Sequence, residues 1–314
     1  FAMRRMEMAG RRLSAIGRRA CPLVVLPIAL CVLPVLAACS PPPTPKATTT
    51  INGAVKVNGV SLHYEITGRG EPLILIEGLG TATWLWWKQV PELSRHFRVV
   101  AYDLRGSGWS DKPDEPYSIP MFADDLAGLM DALRIKQAHI VGISLGGYVA
   151  QEFAIRYPHR VKRLILCSTS TGGPHAIPPS PDIIAALMMP VAGADDLRAR
   201  MTLSVAPAYA AAHPEDLEQM LAWRLDNPQP AYAYNRQLMS AVGWTSEGRL
   251  EQITVPTLVL AGSEDRVVPP QNADVLVSAI PHAEKVILQG AGHLINVEQP
   301  EQFNKEVIRF LTWK

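Results

Sequence analysis

Residues 138–151 read AHIVGISLGGYVAQ, and the fold turns on how that stretch is read. An apolar, β-branched run, AHIVGI, gives way at Ser144 to helical spacing. Gly142, Ser144 and Gly146 form G-x-S-x-G, and Gly147 adds another small residue. A serine on so tight a strand-to-helix turn takes a strained backbone conformation. Its neighbours two before and two after must then lack a Cβ. The pattern predicts a strand, a sharp turn that holds Ser144 at a sheet edge, and a helix ending at Pro158. By itself the motif is an ordinary glycine turn. It becomes a nucleophile's turn only if a base, an acid and an oxyanion site exist elsewhere in the chain.

Working outward, the pattern alternates strands with helices. VKVNGVSLHYEIT, residues 55–67, places Asn58-Gly59 between two alternating runs, the signal for a hairpin. PLILIEG and FRVVAYD are short apolar runs of the kind buried on both faces of a sheet, and RLILCST, TVPTLVLAG and HAEKVILQ supply further strands. WLWWKQVPELSRH (84–96), IPMFADDLAGLMDALRI (119–135) and PEQFNKEVIRFLTW (300–313) read as helices. Such alternation implies an α/β fold with a mostly parallel, doubly wound sheet covered on both faces. Residues 172–250 interrupt it with proline-broken helical patterns rich in methionine and aromatic residues, and read as a helical cap. An insertion there projects from the carboxyl edge of the sheet, where ligands bind. Residues 51–171 and 251–314 then form the core.

The chain has 314 residues, is 48% hydrophobic and carries a formal charge of +1, enough to bury a large core and no reason to expect nucleic acid as a partner. The charge is uneven, because six arginines precede an apolar run, PLVVLPIALCVLPVLAAC, that ends in small residues. This is the layout of a signal peptide over residues 1–38. Pro27 and Pro34 argue against reading it as a retained transmembrane helix. Leu36-Ala37-Ala38-Cys39 resembles the lipobox of bacterial lipoproteins, which implies lipidation of Cys39 and attachment to a membrane of the cell envelope. Without residues 1–38 the net charge falls to about −4 by counting. Cys167 then remains as an isolated thiol in a predicted strand. SPPPTPKATTT completes residues 39–50 as an extended tether.

With a strand before it and a helix after it, the G-x-S-x-G stretch resembles the nucleophile turn of the α/β-hydrolase superfamily, and the resemblance runs from about Val55 to the C-terminus. It implies a Ser…Asp…His order of catalytic residues, with the acid after a late strand and the histidine after the last one. His293, in QGAGHLINVEQP, stands directly after the final predicted strand in a glycine-flanked loop. The other seven histidines fall in strands, at helix ends or beside prolines and read as structural. Asp265, in LVLAGSEDRVVP, matches the family's acid position through G-x-x-D-x-x-x-P, with Glu264 as its neighbouring alternative.

The resemblance also implies an oxyanion hole built from two backbone N–H groups, those of Leu79 and Leu145. The loop reads Glu77-Gly78-Leu79-Gly80 where relatives usually begin with histidine. Glu77 therefore puts a carboxyl near developing negative charge, either buried with a raised pKa or turned aside in a hydrogen bond. YDLRGSGWSDKP resembles a superfamily loop in which Asp103 and Arg105 brace the pocket. Serine at position 144 disfavours the dehalogenase-like and epoxide-hydrolase-like relatives, which use aspartate there. No zinc-ligand spacing, P-loop or dinucleotide fingerprint calls for a metal or cofactor. The expected activity is hydrolysis of a small-molecule carboxylic ester through an acyl-enzyme. Its alternatives are an enol-lactonase of the 3-oxoadipate type, a cofactor-free haloperoxidase or perhydrolase, and a non-catalytic binding lipoprotein of the same fold.

Overall fold

The computed structural model describes residues 49–313. The signal segment, Cys39 and the tether up to residue 48 lie outside the described residues. Thr50, assigned above to the tether, is the first residue of a strand. Among the described residues no helix is long and apolar enough to cross a membrane.

Eight strands form one sheet: β1 (Thr50–Val57), β2 (Val60–Thr67), β3 (Pro72–Ile76), β4 (Arg98–Tyr102), β5 (Ala138–Ile143), β6 (Val161–Cys167), β7 (Thr257–Gly262) and β8 (Ala283–Leu288). Their order is β1-β2-β4-β3-β5-β6-β7-β8. β1 pairs with β2, and β2 with β4, in antiparallel fashion; the remaining neighbours are parallel. At the β1–β2 turn Asn58 and Gly59 both have positive φ, 46° and 82°. That is the geometry of a two-residue hairpin turn that follows the twist of the strands.

Helices α1 (Val90–Leu93), α2 (Ile119–Ala132) and α3 (Leu145–Arg156) precede β6. Helices α4 (Pro181–Met188), α5 (Ala194–Leu203), α6 (Pro207–Ala212), α7 (Pro214–Asp226) and α8 (Ala231–Val242) lie between β6 and β7. Helices α9 (Asn272–Ala279), α10 (Ile295–Glu298) and α11 (Pro300–Thr312) complete the chain.

Successive strand residues point to opposite faces, so the apolar runs feed two cores at once. Ile74, Ile76, Val100 and Tyr102 pack with Phe122, Leu126 and Phe153 of α2 and α3. Leu73, Leu75, Val99 and Ala101 pack on the other face with Trp86, Phe303 and Phe310. All six residues of β5 are buried, which fixes the strand that delivers Ser144.

The expected helix over residues 84–96 is a correction. Thr83–Trp86 is a single 3-10 turn, and the chain then restarts as the four-residue α1 with Pro91 in its first turn. Proline has no N–H to donate and clashes with the preceding turn, so a helix can begin at Pro91 but cannot run through it. The carbonyl of Leu85 that this break frees accepts from Asn296 Nδ2 at 3.1 Å, and Gln89 Nε2 donates to Asn296 O at 2.7 Å.

Five helices therefore stand over the carboxyl ends of β6 and β7. An isolated bridge between Gly172 and Thr245 closes the neck of this insert. Its helices are held to the core by Gln237 Nε2, which donates to Arg105 O at 2.9 Å, and by Tyr232 OH, which donates to Lys112 O at 2.7 Å. Lys88 pairs with Asp216 across the same gap.

Candidate active site

Ser144 sits between β5 and α3 with φ 55° and ψ −117°. Such a conformation costs a non-glycine residue on the order of 1–3 kcal/mol and persists only where its surroundings over-determine it. Here they do. The Ser144 N–H donates to Cys167 O at 2.9 Å, and Ser144 O accepts from Gly147 N and from Thr169 Oγ1, each at 2.9 Å. The flanking glycines are required by contact. A Cβ on Gly142 would stand 2.2 Å from Gly146 O, and one on Gly146 would stand 2.4 Å from both Ile76 O and Glu77 O. A Cβ on Gly78 would meet Ser144 Cβ at 3.3 Å, so that glycine lets the loop after β3 come up against the serine.

His293 lies in the loop between β8 and α10 and is buried. Its Nδ1 is 2.8 Å from Asp265 Oδ2. Asp265, also buried, uses Oδ1 to accept from the backbone N–H groups of Val267 at 2.9 Å and Val268 at 2.8 Å. The carboxylate is thus locked to its own loop by one oxygen and presents the other to the imidazole. A carboxylate can only accept, so in a neutral His293 this contact favours the tautomer with its proton on Nδ1 and its lone pair on Nε2. Ser144, His293, Leu79 and Leu145 line one cavity of about 420 Å³. Among the described residues, the N–H groups of Leu79 and Leu145 have no protein acceptor. Glu264 is absent from that cavity, and no histidine other than His293 lines it. His63, within β2, bonds to Asp103 at 2.9 Å, and His139, at the start of β5, bonds to Glu71 at 3.0 Å.

A family model described as the alpha/beta hydrolase fold matches residues 71–300. The chain belongs to this α/β-hydrolase family. An enol-lactonase from Burkholderia xenovorans LB400 superposes with a TM-score of 0.73 at 32% identity, covering 83% of this chain and all of that one. A poly(3-hydroxyalkanoate) depolymerase of Ectopseudomonas oleovorans is 31% identical over 242 residues, 76% of this chain and 84% of its own. An uncharacterised protein of Mycobacterium tuberculosis is 31% identical over 274 residues, 81% of this chain and 79% of its own.

At Glu77, the acid that opens the loop after β3, both anticipated outcomes occur together. Its side chain is fully buried, and Oε1 accepts from Leu104 N at 2.8 Å and from Ser107 Oγ. Burial, reinforced by the nearby Asp103 charge, pushes the carboxyl well above its ordinary range. Asp103 in turn accepts from Thr83 N and Trp109 N, both at 2.7 Å, and Arg105 is forked onto Asp125 at 2.6 and 2.8 Å. These charges brace loops beneath the site.

The sign of the Glu77 effect follows from linkage. Above the ordinary carboxyl pKa the unfolded chain releases a proton that the folded chain keeps, so folding stability falls as pH rises. Glu77→Gln removes this titration while preserving the Oε1 acceptor. Melts at about pH 5 and pH 8 should show the variant losing less stability than wild type, by as much as about 1.4 kcal/mol per pH unit for one proton.

Sequence reasoning passed over Glu298. It is buried and its Oε2 accepts from Gly292 N at 2.8 Å and Ala206 N at 2.9 Å, tying the His293 loop to the insert. Its signal was an acid five residues after the histidine, but its partners are 92 and 6 residues away and have no side-chain signature. Arg200 and Arg224, which line the same cavity, were also missed.

Proposed function

We propose that the protein is a serine hydrolase that cleaves carboxylic esters. Ser144 Oγ attacks the acyl carbonyl while His293 Nε2 takes its proton, and Asp265 orients the ring and stabilises the imidazolium. The N–H groups of Leu79 and Leu145 receive the oxyanion. His293 returns the proton to the leaving alcohol, and water releases the acid by the same route. The observation that carries this reading is the bond between Asp265 Oδ2 and Nδ1 of His293, a histidine that lines the same cavity as the strained Ser144. The wall is largely apolar, with Met188, Met201, Met220 and Met239 among its residues, which suits an acyl chain at about 0.8 kcal/mol per buried methylene. In this reading residues 172–250 act as the cap that sets substrate choice. Cys39 carries the lipid that holds the enzyme in the cell envelope.

Lactone opening is the same chemistry on a cyclic ester, and the similarity to the Burkholderia enol-lactonase favours it as the second reading. Purified protein should be assayed side by side with 4-nitrophenyl esters of increasing chain length and with simple lactones. Ester turnover supports the first reading and a strong preference for lactones supports the second. Turnover of neither class overturns both.

A further inference from the structure

The cavity holds two cations and no counter-charge. Arg200 and Arg224 are its charged lining residues, and neither aspartate nor glutamate lines it. Several arginines outside it are neutralised, Arg105 by Asp125, Arg198 by Glu218 and Arg309 by Glu284, whereas those without an ion pair among the described residues, such as Arg69, Arg98 and Arg134, do not line this cavity. Among the described residues neither Arg200 nor Arg224 forms an ion pair.

Arg200 is buried, with its guanidinium 4.6 Å from the centre of the Tyr234 ring and one nitrogen donating to Met189 O; its Nε has no acceptor. Arg224 is half-buried and donates no hydrogen bond among the described residues. One of its terminal nitrogens lies 2.8 Å from where a Cβ on Gly80 would stand, directly beside Leu79. Only a glycine at position 80, with φ 73°, lets the guanidinium come so close to that loop. Burial, together with the neighbouring Arg200 charge, pushes Arg224 down to about 10. Two cations held together in an apolar chamber are costly unless an anion joins them.

We propose that Arg200 and Arg224 form an anion subsite, so that the substrate is an ester bearing a second, negatively charged oxygen group, a carboxylate or a phosphomonoester. This deepens the serine-hydrolase reading and rests on it for the reacting bond. A guanidinium fork matches either group bidentately, whereas the apolar wall takes the carbon chain between the anion and the ester. The position of Arg224 beside Gly80 puts the anion on the side of the cavity nearest Leu79.

The test compares 4-nitrophenyl hemisuberate, which has a free carboxylate, with its neutral isostere 4-nitrophenyl 8-methylnonanoate. Wild type should favour the anionic ester, and Arg224→Gln should lower the ratio of the two kcat/KM values about tenfold, with Arg224→Lys restoring part of it. An unchanged ratio in both Arg224→Gln and Arg200→Gln overturns the proposal and leaves the arginines as packing groups. Calorimetry of Ser144→Ala with suberate and with octyl phosphate reads the subsite without turnover, and the tighter ligand identifies the group. Binding of neither overturns the subsite even if esters are cleaved. Binding that Arg224→Gln weakens, in a protein that cleaves no ester, keeps the subsite and rejects the serine-hydrolase reading.

Discussion

Replacing Ser144 with alanine is expected to lower kcat/KM for a 4-nitrophenyl ester on the order of 10⁴-fold or more, while the protein stays folded. In the proposed mechanism the variant loses the atom that forms the acyl-enzyme, while the oxyanion site and substrate binding remain to supply a small residue of rate. Folding survives because the Ser144 backbone, not its hydroxyl, makes the bonds to Cys167, Gly147 and Thr169. Glycine at the same position separates strain from chemistry. With φ at 55°, Ser144→Gly should be as inactive as the alanine variant yet more stable, by about 1 kcal/mol in a denaturant melt. A loss of stability in Ser144→Gly would show that the hydroxyl supports the fold. Near wild-type turnover in either variant would remove Ser144 from the mechanism.

Asp265→Asn should cost about 10³- to 10⁴-fold in kcat without unfolding the loop. Asp265 Oδ1 accepts from two backbone N–H groups, so asparagine keeps its carbonyl oxygen there and must turn its amide NH₂ toward His293. An NH₂ can only donate, which forces the His293 proton onto Nε2, the nitrogen that has to act as base. Geometry is preserved and the tautomer is wrong. Steady-state kinetics together with a melt check this: a loss of rate with little change in melting temperature fits, and a rate within a few-fold of wild type does not.

Much of this arrangement was legible from residues alone, for identifiable reasons. Runs such as PLILI and AHIVGI are apolar at every position because both of their faces are covered, and Asn58-Gly59 tolerates the two positive φ values that a tight hairpin needs. Ser144 and its glycines could be read because the spacing of the turn itself carries the signal: a Cβ on Gly142 would meet Gly146 O within the same turn, although one on Gly146 would meet Ile76 and Glu77 at the end of β3. Features that depend on distant partners were opaque. The break in residues 84–96 is of another kind: Pro91 signals it, but a 3-10 turn followed by a short helix repeats apolar residues at nearly helical spacing and masks it. Glu77 resolves through Leu104 and Ser107, 27 and 30 residues away, and no pattern around it announces them. Arg200 and Arg224 lie on α5 and α7, whose sequences carry many charged residues, where an arginine ordinarily reads as a solvated face.

The most direct measurement is labelling with a fluorophosphonate followed by peptide mass spectrometry, because an unactivated serine hydroxyl does not react. A single adduct on Ser144 is expected in wild type, markedly slower to form in Asp265→Asn and absent in Ser144→Ala. Folded wild-type protein that acquires no adduct at Ser144, or one whose labelling rate is indifferent to Asp265, would contradict the account.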